Sequence, residues 1–125
     1  MIFKKERKQK IKVKKLLKTK PIIMDGKEVS GIKFYPMLTQ KDGAPNFAMR
    51  LFEIEPSGHT PKHTHTWEHE VVITSGSGYA LKENEMIPIE KNDFIFVPQG
   101  LLHQFVAGDR GMSMVCVIPN EGQPK

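Results

Sequence analysis

The sequence has a single cysteine, Cys116, so no disulfide can form within the chain and nothing indicates an oxidising compartment. It also lacks any run of about eighteen consecutive apolar residues, the length that a membrane-spanning helix needs. The N-terminal residues are rich in lysine and contain no apolar signal segment. These absences predict a cytoplasmic protein without a membrane partner.

Helical periodicity is missing as well, because no segment of about eleven residues keeps apolar side chains at positions i, i+3, i+4 and i+7. Short β-like runs fill the chain instead, with glycine, proline, asparagine and aspartate between them. The predicted strands are Gly31–Leu38, Asn46–Glu55, Trp67–Thr74, Gly78–Lys82, Met86–Glu90, Asp93–Val97, Gln104–Ala107 and Met112–Ile118. Strands at this spacing predict an all-β fold, either a closed barrel or a double-sheet jelly roll.

Charge is distributed unevenly along the 125 residues. Residues 1–20 hold ten Lys/Arg against one acidic side chain, whereas residues 21–125 hold nine basic and thirteen acidic side chains. We predict a basic N-terminal arm over residues 1–20 that leads into an edge strand at Ile11–Lys14, followed by one domain over residues 21–125. The arm could bind nucleic acid or anionic lipid, but it lacks a recognisable reader motif. A solvated tail is therefore favoured, and nucleic acid is not expected as a partner.

Four of the five histidines fall into one pattern, His63-x-His65-x3-His69 followed by His103. Imidazole suits manganese, iron, copper, zinc and nickel, so we interpret the pattern as a metal site. Side chains two apart on a strand share a face, which would point His63 and His65 the same way. His69 and Glu70 would point to opposite faces, and only one of them could be the fourth ligand.

The segment from His63 to Gly76 resembles the first motif of the cupin family, G-x5-H-x-H-x3,4-E-x6-G. Pro98-x-Gly100-x2-His103 resembles the second, G-x5-P-x-G-x2-H-x3-N. Counting back from Gly76 places His69 at the acidic position of the first motif. Three other positions depart from the motifs: Ser57, Asn92 and Ala107. A closer resemblance, over roughly residues 30–120, is to small single-domain type-2 cupins in which four histidines hold manganese.

This resemblance implies a double-stranded β-helix, or jelly-roll barrel, with His63, His65, His69 and His103 as ligands of a divalent metal. Manganese is favoured, with iron, copper, nickel or zinc as alternatives. Four neutral imidazoles leave the charge of the ion uncompensated, and an octahedral ion would keep two open positions. The expected function is an oxidoreductase, dioxygenase-like or peroxide-using, that acts on a small organic substrate. The alternative is a noncatalytic module or sensor that binds a small ligand through the metal.

The sequence also predicts the positions of several other residues. Glu70 is expected to hydrogen-bond a metal ligand or to lie at the rim of the site, and His59 to lie in a solvated loop. Cys116 shares a face with Met112, Met114 and Ile118, which predicts a buried position, either as plain core or as a cavity-lining group. Arg50 could anchor a carboxylate, although a surface position is favoured. The larger apolar side chains, including Phe47, Phe94 and Phe96, are expected in the core. The resemblance and the edge strands also imply a homodimer.

Overall fold

The computed structural model describes residues 10–122, which form an all-β structure, as predicted. The strands are β1 (Ile22–Met24), β2 (Ser30–Leu38), β3 (Phe47–His59), β4 (His69–Lys82), β5 (Glu85–Glu90), β6 (Phe94–Val97) and β7 (His103–Pro119). Three short 3-10 turns cover Leu16–Lys18, Gln40–Asp42 and Asn120–Gly122. No helix in this part of the chain is long and apolar enough to cross a membrane.

All pairings in the sheet are antiparallel, in the order β1-β2-β3-β7-β4-β5, and β6 pairs with β4. Strand β7 lies at the centre because it pairs with β3 on one side and with β4 on the other. Strand β7 joins two predicted strands, Gln104–Ala107 and Met112–Ile118, into one continuous strand. Strand β4 likewise joins Trp67–Thr74 and Gly78–Lys82, except that Trp67 and Glu68 lie before its first residue. The glycines between them bend these strands at register shifts and do not end them.

Gly76 explains why such a bend needs glycine. Its φ of 74° lies in the left-handed region, and a Cβ atom there would be 2.1 Å from the carbonyl oxygen of Gly111 on β7. Gly111 also has a positive φ, of 78°. Only glycine adopts this conformation without strain and allows two backbones to approach so closely. The motif glycine therefore permits β4 and β7 to cross at close range.

Two departures from the motifs keep the backbone conformation that the motif glycines would adopt. Ser57 has a φ of 63° and Asn92 a φ of 76°, both in the left-handed region. Asparagine is among the non-glycine residues that enter this region most readily. The backbone at these two positions therefore keeps the conformation for which glycine is best suited, although the residue types differ.

The core is one cluster of side chains on the inner face of the sheet. It includes Ile32, Phe34, Ala48, Ile54, Val71, Ile73, Met112, Met114, Cys116 and Ile118. The expectation that Phe47, Phe94 and Phe96 belong to the core is wrong, because all three lie exposed on the outer face. Alternation along β3 and β6 explains this, since Ala48, Ile95 and Val97 take the inward positions beside them.

The predicted edge strand at Ile11–Lys14 is also wrong. These residues are extended but unpaired, and side chains attach them to the turn Gln40–Asp42. Lys12 Nζ donates to the backbone carbonyl of Asp42 at 2.5 Å, and Lys14 Nζ lies 3.2 Å from the Asp42 carboxylate. Strand β1 takes the position at the sheet edge instead, through its pairing with β2.

The close approach at Gly76 gives the first prediction. Gly76→Ala should lower the free energy of unfolding by at least about 2 kcal/mol, because it adds left-handed strain to a backbone clash. Gly26→Ala is the matched control, since a Cβ at Gly26 meets nothing within 4 Å. Urea unfolding monitored by circular dichroism measures both variants. Equal stabilities would contradict the explanation given for the bend.

Candidate metal centre

Four histidines converge from three parts of the fold. His63 and His65 lie in the loop between β3 and β4, His69 is the first residue of β4, and His103 is the first residue of β7. The expectation that His63 and His65 share a regular strand is wrong, since they lie in this loop. Two backbone hydrogen bonds of 3.1 Å between His63 and His103, one in each direction, attach the loop to β7.

Further contacts fix the loop that carries His63 and His65. The Thr60 N–H donates to the Phe105 carbonyl at 2.9 Å, and the Phe105 N–H donates to Thr60 Oγ1 at 2.9 Å. The Gly100 N–H donates to the His65 carbonyl at 2.8 Å, so the second motif positions a histidine of the first. Irregular backbone held in this way can present side chains as precisely as a strand does.

The imidazole rings form a compact group. Ring centroids of His63, His65 and His103 are 4.9 to 5.1 Å apart, and one ring nitrogen from each lies within 4.8 Å of the others. The His69 ring centroid is 4.5 Å from that of His65 and 5.2 Å from that of His103. The structure therefore brings the four sequence-predicted histidines to one place.

Hydrogen bonds at Nδ1 orient two of the rings. His65 Nδ1 donates to the Trp67 carbonyl at 2.9 Å, and His103 Nδ1 donates to the Leu101 carbonyl at 2.8 Å. A carbonyl can only accept, so each Nδ1 carries the proton of the neutral ring and each Nε2 keeps a lone pair. Backbone carbonyls, rather than nearby glutamates, thus set the tautomers. The indole of Trp67 also stacks on the His65 ring, with centroids 4.3 Å apart and an interplanar angle of 1°.

Burial and mutual proximity favour the neutral form of His63, His65 and His69. Desolvation, assisted by the neighbouring histidines and Arg50, lowers the pKa of His63 to about 4 and that of His69 to about 3. The pKa of His65 is lowered by burial too, although its hydrogen bond to the Trp67 carbonyl opposes the shift. Neutral imidazole is the form that binds metals, so these rings are in the protonation state that a metal ion requires.

The donor set fits a metal ion with nitrogen ligands. His65 Nε2 and His69 Nε2 are only 2.6 Å apart. Two lone pairs repel at this distance, so either a proton lies between the nitrogens or both bind one cation. Three imidazoles within reach of a common point, with a fourth beside them, match the chemistry of first-row transition metals.

A cavity of about 350 Å³ opens beside the histidine cluster, and we refer to it as the central cavity. Most of its walls are apolar and include Phe34, Phe52, Trp67, Phe105 and Met114. No aspartate or glutamate lines it within residues 10–122. A concave, mainly apolar site with a few polar groups at one side is typical of small-molecule binding.

For two further residues of this cavity, the prediction from the sequence is correct in one case and wrong in the other. Cys116 is buried on β7 as predicted, and its Sγ lies 2.9 Å from His69 Nδ1. The favoured surface position for Arg50 is wrong, because its side chain is buried and lines the central cavity. Alternation on β3 was the available signal, since Arg50 shares a face with Ala48 and Phe52.

Glu70 and His59 lie away from this cluster. Glu70 is exposed and lines a shallow groove on the outer face of β4, the face opposite to His69. The structure therefore does not bring Glu70 to the histidines. His59 ends β3 and is half-buried, with its ring against the Thr60 carbonyl and Gln104, so the expectation of a solvated loop is wrong.

An antiparallel β-barrel-like sheet with a histidine cluster beside a central cavity defines a class of small-molecule-binding jelly rolls with a candidate metal site. The family model of the cupin domain matches residues 50–118, and the chain belongs to this family. The matched residues run from Arg50 to Ile118 and include all four histidines of the cluster.

Individual relatives have diverse activities. The chain is 30% identical over 74 residues to 1-methylthio-D-xylulose 5-phosphate methylsulfurylase of Rhodospirillum rubrum, an alignment that covers 58% of this chain and 47% of that protein. The structure of the polyketide cyclase RemF from Streptomyces resistomycificus is similar, with 28% identity, a TM-score of 0.83 and coverage of 92% and 83% of the two chains. A predicted oxalate decarboxylase from Thermotoga maritima has the same fold, at 19% identity, a TM-score of 0.75 and coverage of 86% and 98%. The segment matched to the methylsulfurylase spans about half the length of that protein.

The lowered histidine pKa values predict how stability depends on pH. In metal-free protein, the free energy of unfolding should fall as the pH drops from about 6.5 toward 4, because the unfolded imidazoles take up protons that the folded ones exclude. We expect a loss on the order of 2 kcal/mol between pH 7.5 and pH 5, mainly from the buried His69. Urea titrations in the presence of a chelator measure it. His69→Gln should show a clearly shallower dependence, and an unchanged dependence would contradict this assignment.

Proposed function

We propose that this protein is a metal-dependent oxidoreductase, dioxygenase-like or peroxide-using, that acts on a small organic substrate in the central cavity. The observation that carries the proposal is the convergence of His63, His65, His69 and His103 beside one largely apolar cavity. Membership of the cupin family supports a metal at this position but leaves the reaction open, since one fold hosts many activities.

His69 is proposed as the fourth ligand in place of Glu70. The two residues are adjacent on β4, and the buried side chain of His69 faces the cluster whereas Glu70 faces the outer groove. His69 Nε2 lies 2.6 Å from His65 Nε2, so a ring nitrogen of His69 lies within the histidine cluster. Manganese is our preferred ion, with iron, copper, nickel or zinc as alternatives.

When bound, such an ion would supply Lewis acidity and, for manganese, iron or copper, a redox couple. The chain's own residues would then have three roles. The hydrogen bonds from His65 and His103 to backbone carbonyls keep Nε2 directed to the centre. The aromatic walls exclude water from the substrate and position it by contact. Arg50 places a positive charge in the same cavity.

Among the described residues no carboxylate lines the central cavity, which favours redox chemistry over acid–base chemistry. A general acid or base for an enolate reaction would have to come from the few polar cavity residues that are not in the histidine cluster, and within residues 10–122 none of these is aspartate or glutamate. Thr60 and Cys116 are both buried, and burial raises the pKa of the Cys116 thiol. Reactions centred on a redox metal depend less on such a group.

A second candidate is a non-redox reaction such as ring closure. The likeness to the polyketide cyclase favours it, because that structure is 28% identical and covers 92% of this chain. A cavity walled by aromatic side chains would also suit a cyclic product. A noncatalytic metal-dependent binding module is the third outcome that an experiment must distinguish.

Metal content is the first quantity to measure. Protein purified without added metal should contain a stoichiometric redox metal by elemental analysis. His69→Ala should weaken metal binding by about tenfold or more, whereas Glu70→Ala should leave occupancy unchanged, because Glu70 lies on the opposite face. A larger loss in Glu70→Ala would reassign the fourth ligand.

The same samples then test the reaction. Oxygen and peroxide uptake, measured across small aromatic and enolisable compounds, should be metal-dependent and should be lost in His69→Ala. Conversion of a compound without consumption of an oxidant would favour the ring-closing candidate. Bound zinc, or redox metal without turnover across the panel, would favour the binding module.

We also propose that two copies of the chain associate through the outer face of the sheet. Phe94 is 85% exposed there, and Phe47 and Phe96 are exposed as well. They adjoin or line a groove whose other walls include Met49, Val72, Val115 and Val117. A contiguous apolar surface of this kind marks an interaction site more often than a free face. A second copy is the proposed occupant because the family resemblance implies a homodimer.

Light scattering coupled to size exclusion tests the association. The wild type should have twice the 14.2 kDa of one chain, and Phe94→Glu should shift it toward the monomer. Ile11→Glu is the control, since Ile11 is at least as exposed as Phe94 but lies outside the groove. A monomeric wild type would exclude the dimer.

A further inference from the structure

Arg50 is a buried cation that has no anionic partner within residues 10–122. It lies on β3, pairs in register with Cys116 of β7, and is only 7% exposed. The single ion pair in this part of the chain, residues 10–122, joins Lys14 and Asp42, so no carboxylate there lies within 4 Å of the guanidinium. Its Nε is also buried and has no hydrogen-bond partner. This donor points to a ligand because buried guanidinium groups are normally paired.

The groups that do contact Arg50 are weak acceptors. Nη2 donates to Cys116 Sγ at 3.2 Å, and the guanidinium lies 5.7 Å from the ring centre of Phe34 and 5.2 Å from that of Phe52. A thiol sulfur and two aromatic faces hold a cation in place, but they replace only part of its hydration. The guanidinium therefore keeps unused capacity for a strong acceptor.

Arg50 and the histidine cluster belong to the same cavity. The sulfur of Cys116 contacts Arg50 on one side and His69 Nδ1 on the other, each at about one hydrogen-bond length. A small ligand that approaches the histidines thus lies within reach of the guanidinium. Arg50 also contributes to lowering the pKa of His63, His65 and His69, after burial, which reflects the same closeness.

We propose that Arg50 binds the carboxylate of the natural ligand, and that this ligand is a small monocarboxylic acid with an apolar or aromatic body. The inference deepens the proposed function, on which it rests for the identity of the site. A planar guanidinium matches a carboxylate through two parallel hydrogen bonds. The aromatic walls of the central cavity accept the rest of the molecule.

The charge of the side chains that line the cavity, counted without a metal ion, favours this class over phosphorylated ligands. Arg50 is the one Lys/Arg side chain that lines the central cavity within the described residues. A single guanidinium neutralises one negative charge, whereas a phosphate monoester carries between one and two charges at neutral pH and three acceptor oxygens to satisfy. The match in charge and in number of hydrogen bonds is therefore better for a carboxylate.

Benzoate and its neutral analogue benzamide are suitable probes, since they share shape and differ in charge. Calorimetric titration should show that benzoate binds the wild type at least about tenfold more tightly than benzamide. In Arg50→Met this preference should disappear, while Arg110→Met should retain it, because Arg110 is exposed on β7. The preference should persist in chelator-treated protein, where a metal cannot attract the anion.

Two measurements separate this proposal from a folding defect and from failure of the proposed function. Arg50→Met should unfold at the same temperature as the ligand-free wild type or higher, because it removes an unpaired buried charge. Should it fail to fold, Arg50→Lys keeps the charge, loses the paired geometry, and should bind benzoate more weakly than the wild type. Elemental analysis should give equal metal content in the wild type and the folded variant.

The outcomes are distinct. An Arg50-dependent preference for benzoate in protein that binds no metal would support the anion site and overturn the metal centre alone. Normal metal content with benzoate binding unaffected by Arg50→Met or Arg50→Lys would overturn the anion site alone. If acetate, benzoate and phenylacetate all fail to bind at about 10 mM, the anion site is overturned as well. A dissociation constant of this size is weak even for a ligand held by a single contact.

Discussion

The pairing of β7 with both β3 and β4 is the constraint on which the rest of the structure depends. It joins the sequence-distant halves of the chain and brings His103 beside the loop that carries His63 and His65. It also places Cys116 opposite Arg50 on one side and opposite Val71 on the other. Every side chain proposed to bind a metal or an anion thus touches β7 or a segment hydrogen-bonded to it. The long strand could do this only because glycines let it bend and approach β4 closely.

The electrostatic character of the central cavity has a single origin. No carboxylate lines it among the described residues, so nothing there stabilises protonated histidine or pairs with Arg50. Burial then lowers the pKa of His63 and His69, and the imidazoles stay neutral and available to a cation. The same lack of negative charge leaves the guanidinium free for an external anion. The proposed metal site and the proposed anion site therefore both follow from the lack of carboxylates among the described residues that line the cavity.

Predictions from the sequence succeeded where local rules decide the outcome. Alternation and turn residues predicted an all-β fold, and the spacing of the histidines predicted that four of them would meet. Ser57 and Asn92 departed from the expected glycines, yet both adopt the left-handed backbone that the turn requires. The sequence was less informative about which face of each strand is buried. Phe94 and Phe96 were expected inside on account of their size, but the pairing of β6 with β4 turns them outward.

The sequence by itself determined the strand-forming pattern and the identity of the four histidines. The tertiary structure alone decided that Arg50 is buried, that Glu70 lies on the outer face, and that backbone carbonyls orient the imidazoles. The physical reason is that side-chain type and alternation are local properties of the chain. Burial, pKa and hydrogen-bond partners depend instead on which distant strands pair, and that is fixed only when the whole sheet closes around its core.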